Sequence, residues 1–85
     1  MYYVYVLRNE KGRTYVGYTT DLDRRLKEHN RPHTGYTGKG QWEYVYYEAY
    51  KDERDARDRE KTLKESTSSK RWLKERLRYS LKENS

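Results

Sequence analysis

The sequence predicts an α+β fold: a small three-stranded, mixed or antiparallel sheet flanked by helices, in the order β-β-α-β-α-α. Three observations lead there. Runs rich in tyrosine and valine at Tyr2–Leu7, Thr14–Thr19 and Trp42–Tyr50 favour strands. Leucines recur every four residues at Leu22 and Leu26, and again at Leu73, Leu77 and Leu81, which is the spacing of a helix face. Asn9-Glu10-Lys11-Gly12 separates the first two runs with residues suited to a tight turn.

The composition bounds the rest. A chain of 85 residues is read as one domain, residues 1–85, with a small core; chains this short bury only about 60–65% of their unfolded surface. With 32% apolar and 40% charged residues the composition approaches that of disordered chains. Eleven tyrosines argue otherwise, because each brings a large ring to bury. Phenylalanine is absent, so tyrosine takes the aromatic role in the core. The net charge of +6 favours polyanions such as nucleic acid, although many small proteins are basic for solubility alone. Without cysteine there is no disulfide framework and no thiolate metal site. No apolar run is long enough to cross a bilayer, and no signal-peptide pattern opens the sequence. The expectations are a cytoplasmic monomer with no membrane partner.

Each element follows from its residues. In Tyr2–Leu7, Tyr3, Tyr5 and Leu7 share one face, and Tyr2, Val4 and Val6 share the other. Both faces are apolar, which predicts a central strand. In the return strand Gly17 needs a reason, either close approach by a backbone or ligand, or a simple bulge. Parity decides what surrounds it. If paired residue numbers sum to an even value, Tyr5, Tyr15 and Gly17 project together, two phenols beside a gap. A slip of one residue would separate them. Thr20 or Asp21 caps a helix reaching about Asn30, with Leu22 and Leu26 buried and Arg25 and His29 on a neighbouring polar stripe. Such a pair can flank a phosphate or simply be a solvated basic face; position favours function for Arg25 and the plain reading for His29.

Residues 31–41 read as a loop carrying His33, Tyr36 and Lys39, residue types suited to base stacking and backbone contact. In Trp42–Tyr50, strict alternation puts Trp42, Tyr44, Tyr46, Glu48 and Tyr50 on one face. Asp52 caps a polar helix to about Lys64, in which Glu60 shares the inward face with Ala56 and Leu63. A carboxylate there requires a salt bridge, to one of the many arginines, or a metal ion. Ser66–Ser69 breaks the chain before a third helix, about Lys70 to Lys82, whose outer face carries Lys70, Arg71, Lys74 and Arg78.

The series YVY (Tyr3–Tyr5), YVGYT (Tyr15–Thr19), DLDRRLKEHN (Asp21–Asn30), VYYEAY (Val45–Tyr50) and ARDREKTLK (Ala56–Lys64) resembles the GIY-YIG endonuclease superfamily. It is most similar to short members related to the nuclease domain of the bacterial excinuclease C subunit, a DNA-repair setting. The resemblance implies that Tyr5 and Tyr15 are the family tyrosines, Gly17 the second-motif glycine, Arg25 the family arginine, His29 a frequent histidine and Glu60 the metal-binding glutamate. Tyr3 stands where the first-motif glycine would be, and Tyr18 where some members carry a lysine. The family's late asparagine has no counterpart in the Ser66–Ser69 segment.

The implied chemistry is metal-dependent hydrolysis of DNA phosphodiesters, structure-selective and with low sequence specificity. Glu60 would hold one Mg²⁺ or Mn²⁺, and Arg25 would fork onto the phosphate. Tyr5 or Tyr15 would activate water, with its phenol made more acidic by Arg25, His29 or the metal. Gly17, Tyr36 and Lys39 are candidate substrate contacts. Two other readings stand beside this one: a non-catalytic nucleic-acid-binding module, and an accessory protein whose partner supplies specificity.

Overall fold

The computed structural model describes residues 1–30 and 41–81, apart from the side chains of residues 69 and 70. Its elements run β1 (Tyr2–Asn9), β2 (Thr14–Thr19), α1 (Leu22–His29), β3 (Trp42–Tyr50), α2 (Glu53–Glu65) and α3 (Thr67–Arg76). The sheet order is β2-β1-β3 and both pairings are antiparallel. The doubly apolar β1 is thus the central strand.

The β1–β2 turn is held by Asn9, whose Oδ1 accepts from the backbone N–H of Lys11 at 3.0 Å and of Arg13 at 2.9 Å. Gly12 takes the left-handed conformation at φ 80°, which a side chain would strain. This turn sets the register: Tyr5 lies opposite Gly17 and Leu7 opposite Tyr15. The sums are even, so Tyr5, Tyr15 and Gly17 do share one face.

Strict alternation fails in β3. The register shifts between Val6 and Leu7, with Val6 opposite Tyr46 and Leu7 opposite Tyr44, so Val45 is an extra residue. The shift divides the expected single face in two. Trp42 and Tyr44 join Tyr5 and Leu7, whereas Tyr46 and Tyr50 pack with Val4 and Val6.

Helices cover both sides of the sheet. On one side α1 lays Leu22 and Leu26 against Tyr5, Leu7 and Trp42. On the other, α2 and α3 bury Ala56, Leu63, Leu73 and Leu77 against Val4 and Val6. Asp21 and Asp52 cap α1 and α2, accepting from the N–H groups of Arg24 and Arg54. The break between α2 and α3 is at Ser66 alone, and α3 begins at Thr67 rather than near Lys70. Its bonding continues past Arg76, since Leu81 N–H donates to the Leu77 carbonyl at 2.8 Å. Arg8 secures that end by donating to the Leu81 carbonyl at 2.6 Å.

On the side covered by α2 and α3, the partly buried Glu48 gathers the polar groups. It accepts from the Tyr46 and Tyr50 hydroxyls and from Arg59 Nε at 3.0 Å. Burial alone would raise its carboxyl, but these hydrogen bonds and the Arg59 charge together hold it below the ordinary range. Burial and Glu48 push the Tyr50 phenol up to about 12.

Candidate active site

The side of the sheet beneath α1 gathers the residues that carry chemistry. Tyr5 is 1% exposed, and its ring lies over Gly17. A Cβ at Gly17 would come within 2.3 Å of Tyr5 Oη and 2.4 Å of Cζ. Glycine is therefore required there to admit the phenol. The space expected to be an open gap or substrate contact at Gly17 is filled by Tyr5 itself.

Tyr5 Oη and His29 Nε2 share a hydrogen bond of 3.0 Å across the interface between β1 and α1. Nε2 accepts from the phenol when the ring proton is on Nδ1, and donates to the phenol oxygen when it is on Nε2. Tyr15 closes the cluster, its ring 4.8 Å from that of His29 and 6.4 Å from that of Tyr5. Trp42 borders both, with its ring 6.4 Å from His29 and 6.5 Å from Tyr15.

His29 is not the solvated basic residue of the plain reading, since it is only 4% exposed. Burial, followed by the charge of Arg25, lowers its ionisation below the ordinary imidazole value, while Glu28 opposes this. It is a neutral hydrogen-bonding partner at neutral pH, not one of the cations expected beside the phenols.

Arg25, one helical turn before His29, sits at the rim. Its Nη1 lies 3.6 Å from a Glu28 carboxylate oxygen, and its buried Nε has no hydrogen-bond partner among the described residues. Its charge is felt by both His29 and Tyr44. The Tyr44 hydroxyl donates to the Leu22 carbonyl at 2.6 Å, and burial raises its phenol to about 12. The C-terminal end of α1 is fixed by Asn30. Its side-chain amide donates to the Trp42 carbonyl at 3.0 Å and accepts from the Trp42 N–H at 2.7 Å.

Glu60 stands apart from this group, on α2, which packs on the other side of the sheet. Its side chain is 21% exposed and pairs with Lys64 Nζ at 3.2 Å, not with an arginine. Lys64 is the link to the phenols, because the same Nζ lies 5.7 Å from the centroid of the Tyr15 ring. The pattern thus brings Tyr5, Tyr15 and His29 into contact, places Arg25 at their rim, and joins Glu60 through one lysine. Tyr36 and Lys39, like His33, fall outside the described residues.

Sequence reasoning missed Trp42, Asn30 and Lys64. Lys64 had a signal, since it follows Glu60 by four residues on a helix. Trp42 had none, because its side depends on the register shift at Val45.

Glu60 fits a hard divalent cation in part. It offers one oxygen-donor group with access to water, and magnesium is commonly held by one or two carboxylates, with water and substrate phosphate completing its shell. No group of three or more His, Asp or Glu that could hold a metal occurs among the described residues.

Two antiparallel strands that bring Tyr5, Tyr15 and Gly17 together, followed by a helix carrying Arg25 and His29, define the class. The chain belongs to the GIY-YIG family, whose catalytic domain matches residues 1–75. Among its relatives are UPF0213 proteins. One from Clostridium perfringens is 36% identical over 73 residues, covering 84% of this chain and 78% of the relative. One from Haloquadratum walsbyi is 35% identical over 72 residues, covering 82% and 81%. The solution NMR structure of a UPF0213 protein from Bacillus halodurans superposes with a TM-score of 0.55 at 35% identity, over 86% of this chain and 82% of that one.

Proposed function

We propose that this chain is a divalent-metal-dependent endonuclease that hydrolyses phosphodiester bonds in DNA. On this reading it selects nucleic-acid structure, such as branches, more than sequence. The observation that carries the reading is the packed cluster of Tyr5, His29 and Tyr15, with Arg25 Nε at its rim and without a hydrogen-bond partner among the described residues. A buried donor left without a partner is costly in a folded chain and calls for an explanation. A phosphate oxygen would satisfy it.

The two phenols separate by environment. Tyr5 is enclosed and bonded to His29, so it serves as a fixed support. Tyr15, half-buried on the edge strand β2, meets the attacking water and, as its phenolate, takes a proton from it. Arg25 binds and orients the phosphate and balances its developing charge. Glu60 would hold Mg²⁺ or Mn²⁺, which supplies Lewis-acid stabilisation of the leaving oxygen. Tyr36 and Lys39 are proposed substrate contacts. A protein partner that directs the cut is compatible with this site.

One observation favours a second reading. Glu60 is already paired with Lys64, as it would be in a nucleic-acid-binding module that does not cut. Nicking of supercoiled and branched DNA with Mg²⁺ or Mn²⁺, with and without chelator, separates the two. The parent should nick only with metal. Glu60→Gln, Arg25→Ala and Tyr15→Phe should each lose about 100-fold or more. DNA binding with no metal-dependent nicking would select the binding module. Equal nicking by the parent and Glu60→Gln would remove Glu60 from the site.

A further inference from the structure

A phenol that takes a proton from water must spend part of its time as phenolate, which near neutral pH requires a cation close to the ring. The sequence offers Arg25 and His29 for this role. The structure removes His29, because burial holds it neutral. Arg25 lies 3.6 Å from a Glu28 carboxylate oxygen, and its charge acts on His29 and Tyr44.

Among the described residues, Tyr15 meets Tyr5 from β1, His29 from α1, Trp42 from β3 and Lys64 from α2. Among these described ring contacts, only Lys64 brings an ammonium. Its Nζ, 5.7 Å from the ring centroid, is within range of a cation–π contact. Glu60 anchors it at 3.2 Å from the preceding turn of α2.

We infer that Lys64 is a positioning residue for Tyr15: its ammonium, anchored by Glu60, stands at the phenol ring and favours the phenolate. The inference rests on Tyr15 being the base of the proposed hydrolase. It goes further by assigning a role to a residue outside the cluster of phenols and imidazole, and by giving the Glu60–Lys64 pair a purpose other than folding. Because the Lys64 side chain is 46% exposed, water screens its charge. The expected effect is therefore modest, about threefold in phenolate population at a given pH, or about half a pH unit in midpoint.

The test is NMR titration of protein labelled at tyrosine ¹³Cζ, with the Tyr15 signal assigned by Tyr15→Phe. The Tyr15 midpoint should rise by about half a pH unit in Lys64→Met and return toward the parent in Lys64→Arg. A merely structural role for Lys64 would not move the midpoint with the charge, up in Lys64→Met and back in Lys64→Arg. In the nicking assay, the acidic limb of the rate profile of Lys64→Met should move upward with the phenol. An unchanged Tyr15 midpoint in folded Lys64→Met would overturn the inference, whatever the activity. If the midpoint responds but the parent never nicks DNA, the coupling stands and the hydrolase reading falls.

Discussion

His29 is enclosed by two phenols and an indole, and its ionisation is lowered chiefly by that burial. The consequence for stability has a definite sign. The unfolded imidazole takes up a proton near its ordinary value of 6.5, while the folded one resists until lower pH. Between those two points the unfolded state binds more protons, so stability falls as pH falls. Urea midpoints should therefore decline from pH 6.5 downward in the parent. The decline should be shallower in His29→Gln, which keeps an amide for Tyr5. Gly17 makes the second prediction at this scale. Its backbone is ordinary strand, and the three atoms nearest to an added Cβ all belong to the Tyr5 side chain. Gly17→Ala should cost about 1–3 kcal/mol by urea denaturation. It should cost much less when Tyr5 is already leucine, the non-additivity expected of touching residues.

Among the elements, α1 is the one whose placement decides the site. It is short, and its apolar hold on the sheet is Leu22 and Leu26. Asn30 supplies the remainder by closing a two-way amide contact with the Trp42 backbone. Asn30→Ala leaves both backbone groups without that partner and should lower stability by about 1–3 kcal/mol, read from the urea midpoint. Nicking should fall by more than the unfolded fraction explains, because His29 is the neighbouring residue. How much was legible in the sequence differs by element. His29, read onto the polar stripe, is the buried residue of α1. The hairpin could be read as far as two alternative registers, of which the structure takes the even one, and the α1 stripe as far as Leu22 and Leu26. β3 could not, because tyrosines occur on both of its sides and conceal the extra residue at Val45. The early start of α3 was hidden for another reason: serine and threonine, which favour caps and breaks, also fill a first helical turn.

The whole molecule is a sheet with α1 on one side and α2 and α3 on the other, carrying a net charge of +6. Helical spacing puts Glu60 on the inward face of α2 and offers Lys64, four residues on, as its partner, but it does not show the Tyr15 ring that Lys64 approaches. Helical periodicity shows which way a residue faces, not which side of the sheet its helix covers. The charge predicts that DNA affinity, measured with chelator present, falls with salt. Neutralising about three phosphates would weaken binding about fortyfold between about 50 and 200 mM salt. An affinity indifferent to salt would contradict phosphate recognition by this surface. None of the described helices is long and apolar enough to cross a membrane.

The tie between Asn30 and Trp42 also joins the end of α1 to the start of β3 directly, through two hydrogen bonds that need no third residue. Sequence inserted or exchanged between those two anchors should leave the His29 ring and the first turn of β3 in place. Changes of sequence in that interval are thus separable from the geometry at His29 and Trp42.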